Sequence, residues 1–214
     1  MTLGGETSQS LDRALRLLRL LGDAGDRGLS VSEAARALQV GRPVVYRMLA
    51  TLDEYGWVRR LDDGRMLLGL AVLELAAAAE PVLRQLATPL LRQLADEVGA
   101  TAHLTVADGE EAVAVAVVEP RWSTIHVAYR VGTRHPLDAG AAGRAILAGR
   151  QQDHSPVTSS GELERGASGL AVPLAGVPGL EASVGVVAVA PLDAGQVGPA
   201  VDAVASALAK VLRG

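Results

Sequence analysis

Ser30-Val31-Ser32-Glu33-Ala34-Ala35-Arg36-Ala37-Leu38-Gln39-Val40-Gly41-Arg42-Pro43-Val44-Val45-Tyr46-Arg47-Met48-Leu49-Ala50-Thr51-Leu52 decides the fold of the first third of the chain. Ser30 and Glu33 have capping-box spacing: the hydroxyl accepts from the amide three residues on, and the carboxylate reaches back. Val31, Ala34, Ala35 and Leu38 give the helix that follows a buried face, and the alanine pair admits a close neighbour. Gln39-Val40-Gly41 is a turn of the length that joins two helices at a steep angle. Pro43 sits in the first turn of the next helix, where a missing N–H costs nothing. Val45, Met48, Leu49 and Leu52 form its apolar stripe, which leaves Arg42, Tyr46 and Arg47 facing outward.

Downstream, Trp57 to Leu61 reads as a strand, Asp62-Asp63-Gly64-Arg65 as a tight turn and Met66-Leu67-Leu68 as the return strand. Upstream, Ser10 is placed to cap a helix whose core stripe is Leu11, Ala14, Leu15 and Leu18. Leu17, Leu20 and Leu21 widen that stripe beyond what one small core needs, with Gly22 and Gly25 ending the helix. Helix, capped helix, short turn, helix and hairpin make a winged helix-turn-helix. Its third helix suits the major groove, and arginines there can pair with guanine or clamp phosphate. The competing reading of the same periodicity is a helical bundle with solvated arginines, or a helix-turn-helix used for protein docking.

Composition narrows the classes. The 214 residues carry 20 basic and 24 acidic side chains, so nucleic acid must be met by a local patch. Residues 27–66 hold seven Arg and five acids, which implies modest affinity for one module and a dimer for two. The absence of Cys excludes disulfides, thiolate zinc sites and a Cys nucleophile. With no Phe, two Trp and three Tyr, a base-stacking platform is not expected. No Gly-x-Ser-x-Gly, Walker or dinucleotide pattern occurs, and His103, His126 and His135 lack metal-ligand spacing, so the expectation is no catalysis, no metal and no cofactor. The polar start has no apolar signal segment, and Leu67 to Ala79 is too short to span a bilayer; a soluble cytoplasmic protein is expected.

The remainder alternates valine-rich runs with helices. Leu70 to Ala79 reads as a linker helix, and Val82 to Val98 as a second helix that Pro89 should kink or restart. Strands are expected at 101–106, 113–118, 124–129, 170–174 and 183–190, with helices at 140–148 and 197–212; Gln151 to Gly169 is the most loop-like stretch. The fold class is α+β, divided into a DNA-binding domain at 1–68, a linker helix at 69–81 and a regulatory domain at 82–214.

Several blocks resemble the IclR family of bacterial transcription regulators. They are Ser10 to Leu18, Val45 to Leu52, Gly56 to Arg60 with Asp63 to Arg65, Arg130 to Leu137, Ala139 to Ala145 and Gly166 to Leu174. The resemblance implies a dimer or tetramer on a palindromic operator in double-stranded DNA, in which Leu17, Leu20 and Leu21 meet a second copy of the chain, with a GAF-like sensory domain that holds a small organic acid effector. On it, the DNA-contacting candidates are Ser32, Arg42, Val44, Tyr46, Arg47, Arg59, Arg60 and Arg65. Tyr46 can reach a thymine methyl or a phosphate. The effector-site candidates are Arg130, Gly132, Ala139, Ala142, Gly143, Arg144, Gly169 and Ala171. Three departures stand out. Gly41-Arg42-Pro43-Val44 replaces a Pro-Lys-Ser-Thr-like start of the recognition helix, Met66 and Leu67 replace polar wing residues, and only 147–165 remain where the family has a longer segment covering the effector cavity. The shortening should leave that cavity small or open. The alternatives are a constitutive DNA-binding protein with a degenerate pocket, or a small-molecule binder whose helix-turn-helix serves only dimerisation.

Overall fold

A computed structural model describes residues 7–122 and 129–214. The chain forms two compact units, residues up to 79 and residues 80–214. In the first, helix α1 (Gln9–Ala24) is followed by α2 (Val31–Leu38), α3 (Arg42–Glu54), and strands β1 (Val58–Arg60) and β2 (Met66–Leu68). The capping box at α2 is complete: Ser30 Oγ accepts from the Glu33 amide at 3.2 Å, and Glu33 Oε2 accepts from the Ser30 amide at 2.8 Å. That backbone hydrogen bond, more than any charge, lowers the Glu33 pKa to about 2. Gln39 turns the chain from α2 toward α3 in the left-handed region, with φ 55°.

The face of α1 differs from the sequence expectation. Leu17 and Leu21 are fully buried in the unit's own core with Ala34, Ala35, Val45 and Leu49, whereas Leu11 and Leu15 are more than half exposed. The leucines and alanines of α1 give it two candidate stripes offset by less than a turn, and periodicity does not choose between them. The helix is capped by Ser8, not Ser10. The hairpin also gains a third member, because Leu29 and Met66 exchange backbone hydrogen bonds at 2.8–2.9 Å. Gly64, at φ 85°, closes the wing turn.

Helix α4 (Ala71–Val98) runs through Pro81 and Pro89 without a break. The expected linker helix and the helix after it are thus one element. Each proline deprives the carbonyl four residues earlier, and those belong to the exposed Ala77 and Gln85, where water can take its place.

Among the described residues the second unit holds a six-stranded antiparallel sheet in the order β5-β4-β3-β8-β7-β6. Its strands are β3 (Thr101–Asp108), β4 (Glu111–Val118), β5 (Arg134–Pro136), β6 (Val157–Ser160), β7 (Ser168–Pro173) and β8 (Ala182–Ala188). Helices α5 (Gly140–Arg150) and α6 (Ala194–Arg213) complete it. Most of the strand expected at 124–129 lies outside the described residues. Strand β6 departs from the sequence expectation, since Val157-Thr158-Ser159-Ser160 is too polar to stand out from a loop. Leu104, Val184, Leu170 and Val172 face a core with Leu91 and Leu94 of α4 and Val201 and Leu208 of α6. The opposite face is small and polar, with Thr105, Ser183, Gly185, Ala171 and Gly169 in register across β3, β8 and β7. There α5 settles, and Ser183 Oγ donates to the Ala142 carbonyl at 2.9 Å. A bulge at Val115 frees its carbonyl, which accepts from Arg84 Nε at 2.9 Å.

Gly69 ends the wing, where a Cβ would stand 2.0 Å from the Gly56 carbonyl oxygen and against the Trp57 backbone. Gly69→Ala should therefore destabilise the first unit by about 1–3 kcal/mol through overpacking, read as an earlier Trp57 fluorescence transition in thermal denaturation. An unchanged transition refutes the tight contact.

Candidate functional site

Two sites emerge, one in each unit. On α3, Val45 and Leu49 hold the buried side, while Arg42, Tyr46 and Arg47 are exposed, with Tyr46 58% accessible. Val44 is half-buried on the same turns, and Ser32 is half-buried at the start of α2. Arg59 and Arg60 are exposed on β1. Among the described residues no ion pair engages Arg42, Arg47, Arg59 or Arg60, so their charge is available to a partner. Arg65 is held differently. Its Nη1 donates to the Arg27 carbonyl at 2.9 Å, and its Nε lies 3.7 Å from Asp63. That guanidinium fastens the wing to the segment before α2. Sequence reasoning missed the tie because its two ends are 38 residues apart.

In the second unit, a cavity of about 260 Å³ opens beside the N-terminus of α5. Ala142 and Gly169, from the sequence-derived set, line it, together with His103, Tyr129, Thr133, His135, Ser159 and Glu162, which that set lacked. Gly143 and Ala171 pack against protein instead. A Cβ on Gly143 would stand 2.5 Å from the Leu137 carbonyl oxygen, and Ala171 is fully buried against Ala141 and Ala145. Ala139 is the residue preceding α5, and Arg130 and Gly132 belong to the turn before β5; none of the three lines the cavity. Arg144 lies just outside it, with Nη2 donating to the Thr158 carbonyl and pairing with Glu162 Oε1 at 2.9 Å.

The polar lining is ordered. His103 Nδ1 lies 3.0 Å from Thr105 Oγ1, which is 3.4 Å from the Tyr129 hydroxyl. The His103 and Tyr129 rings sit 5.0 Å apart at 56°. Gly185 makes room for the His103 ring, whose Cε1 a Cβ there would approach to 2.7 Å. His135 Nδ1 donates to the Pro136 carbonyl at 3.0 Å, which leaves its buried Nε2 as an acceptor without a partner among the described residues. The first two α5 amides are already occupied: Gly140 N–H donates to Glu162 Oε2 at 3.0 Å, and Ala141 N–H to Ser159 Oγ at 3.1 Å. Sequence carries no signal for Ser159 and Glu162, because they fall in the stretch that reads as loop. His103 and His135 do meet at one cavity, while His126 lies outside the described residues. No cluster of three metal-binding side chains occurs among the described residues.

Comparison with known proteins bears on both units. The IclR helix-turn-helix domain matches residues 10–62, and the bacterial transcriptional regulator IclR C-terminal domain matches residues 75–168. The chain belongs to the IclR family. The HTH-type transcriptional regulator KipR of Bacillus subtilis is 34% identical over 121 residues, 56% of this chain and 48% of that protein. The glycerol operon regulatory protein of Streptomyces coelicolor is 32% identical over 159 residues, 73% of this chain and 60% of that one. The chain thus matches about half the length of its curated relatives. Among solved structures, an IclR homolog of Microbacterium hydrocarbonoxydans complexed with 4-hydroxybenzoate shares the fold with a TM-score of 0.55 at 19% identity, covering 96% of this chain and 99% of that one. The Thermotoga maritima IclR structure gives 0.55 at 22% identity, covering 95% and 98%. No helix among the described residues is long and apolar enough to cross a membrane.

Burial lowers the His103 pKa to about 3, with the charge of neighbouring His135 acting the same way. The unfolded chain takes up that proton near pH 6.5, so its contribution to stability is complete above pH 6.5 and is lost as pH falls toward 3. Thermal unfolding of the wild type should move to lower temperature between pH 6.5 and pH 4, and His103→Gln should flatten that dependence. Circular dichroism melts at stepped pH test this; an unchanged slope in the variant refutes the assignment.

Proposed function

We propose that this IclR-family chain is a cytoplasmic, non-catalytic transcription regulator that binds double-stranded DNA as a homodimer and answers to a small organic acid. The observation that carries the reading is the exposed basic face of α3 and β1, whose Arg42, Arg47, Arg59 and Arg60 form no ion pair among the described residues, set on a helix-turn-helix whose inner side is packed in the unit's core. Arg42, Val44, Tyr46 and Arg47 face the major groove in this reading, Arg59 and Arg60 reach adjacent phosphates, and Arg65 and Ser32 support the placement of wing and α2. One module with so little net positive charge binds weakly, and two modules related by a two-fold axis on a palindromic operator correct that. Leu11 and Leu15, exposed on α1, supply the apolar contact between copies. The regulatory ligand belongs to the cavity beside α5, whose volume suits a small acid; the 4-hydroxybenzoate held by the Microbacterium homolog is of that class.

Arg47→Ala should cost about 1–3 kcal/mol on the cognate operator and little on random DNA. Arg59→Ala should weaken both equally and reduce the salt slope by about 1. Fluorescence anisotropy at several salt concentrations separates these roles, and equal losses on both DNAs for Arg47→Ala refute base readout by α3.

Leu15→Glu should yield monomers in sedimentation velocity and lose operator affinity, while Leu17→Glu should unfold the first unit, because Leu17 is fully buried. A stable wild-type monomer at micromolar concentration with full operator affinity overturns the dimer.

A further inference from the structure

The cavity beside α5 already contains a carboxylate, and it is the protein's own. Glu162 lies on the connection between β6 and β7, which is closed by the Gly161 N–H donating to the Ala167 carbonyl at 2.8 Å. Its Oε2 takes the Gly140 amide at the start of α5, and its Oε1 takes Arg144 at 2.9 Å. The next residue seals the same spot. Gly140 has φ 71°, a conformation that favours glycine, and the half-exposed Leu163 lies over the helix start, its Cδ1 2.6 Å from where a Cβ on Gly140 would stand.

We propose that Glu162 is an internal competitor for the ligand's carboxylate: an acid binds this cavity by displacing Glu162 from the Gly140 amide and Arg144, which releases the 161–167 connection. The proposal rests on the effector reading of the cavity and concerns how that site is regulated.

Two observations beyond the helix N-terminus point to a ligand. His135 is 6% accessible and lines the cavity, and its Nε2 acceptor has no partner among the described residues although its Nδ1 is satisfied. Arg144, which lies just outside the cavity and holds Glu162, also has a buried Nε without a partner among the described residues, so its guanidinium is only partly used by Glu162 and the Thr158 carbonyl. A buried polar atom left unpaired is destabilising, and a ligand that pairs with it recovers that loss. Helix amides and a guanidinium together suit a carboxylate. A bound acid with Glu162 still in place would set two like charges on one amide, so the two exclude each other.

The experiment titrates the full chain with benzoate and with its uncharged isostere benzamide by calorimetry, using wild type, Glu162→Gln and Glu162→Ala, with melting curves to verify that each variant is folded. Removal of the competing charge should tighten benzoate about tenfold or more and leave benzamide unchanged. In the wild type, saturating benzoate should speed hydrogen exchange of the 161–167 peptide and slow that of the α5 start. Unchanged or weaker benzoate binding in both variants overturns the competitor role and leaves the cavity standing as a ligand site. Binding of benzamide to all three proteins, with benzoate bound by none, overturns the competitor role in the same way. Failure of all three to bind either probe removes the effector reading and this proposal with it.

Discussion

Strand β3 is buried on both faces, and the rest of the second unit follows from that. A strand presents alternate side chains to opposite sides, so Ala102 and Leu104 enter one layer while His103 and Thr105 enter the other. The neighbours inherit the division through register: Val184 and Val186 of β8 join Leu104 and Ala102, and Ser183 and Gly185 join Thr105 and His103. One side becomes a leucine and valine core under α4 and α6. The other keeps only small or polar side chains, which is why a helix as small as Gly140-Ala141-Ala142-Gly143-Arg144-Ala145 can lie close upon it. With no Phe to fill space, the layer closes by proximity of backbones, and the remaining room gathers at the α5 N-terminus.

The same economy of size governs the first unit. Ala34 and Ala35 let α2 approach Leu17 and Leu21 of α1 closely, and Val45 and Leu49 anchor α3 in that joint core. Burying the inner stripe of α3 fixes the outward direction of Arg42, Tyr46 and Arg47, since a helix cannot rotate one face without the other. The Leu29–Met66 pairing and the Arg65–Arg27 hydrogen bond then tie the wing to the strand-like segment before α2. A basic helix face and a basic hairpin edge are thus positioned by apolar packing and backbone pairing, with little help from charge.

What was legible in sequence was local. The α2 capping box, Pro43 in the first turn of α3 and the Asp-Gly hairpin each act over a few residues, and each forms where its spacing placed it. What depends on distant partners was not legible. The leucines of α1 offer two stripes, and only the Ala34–Ala35 face of α2 decides that Leu17 and Leu21 go inward. Pro81 and Pro89 resemble helix breaks in sequence because exposure of Ala77 and Gln85 is a tertiary property. In the cavity, Ala142 and Gly169 are legible through their small size, but Ser159 and Glu162 sit on a polar strand and turn whose meaning lies in the α5 amides they cap. Arg130 and Arg144 suit a charged anchor by residue type alone; neither lines the cavity, and Arg144 meets it only through its pair with Glu162.

Charge pairing connects the two units to the reading of function. The chain is acidic overall, and among the described residues some cations pair with carboxylates while others do not. In the second unit Arg84, Arg134, Arg144 and Arg150 are each matched to a carboxylate, Arg134 to both Asp108 and Glu111. Such surface pairs add about 0–1 kcal/mol each, so their chief consequence is electrostatic: they cancel positive charge where it has no partner to meet. On α3 and β1 the opposite holds, and Arg42, Arg47, Arg59 and Arg60 lack intramolecular carboxylates among the described residues. An unpaired cation keeps its field for whatever approaches, and a polyanion that releases condensed counterions gains most from such a surface. A net charge of −4 therefore does not argue against a nucleic-acid partner for this fold, because it is a sum over the whole chain, whereas a polyanion responds to the local field of α3 and β1.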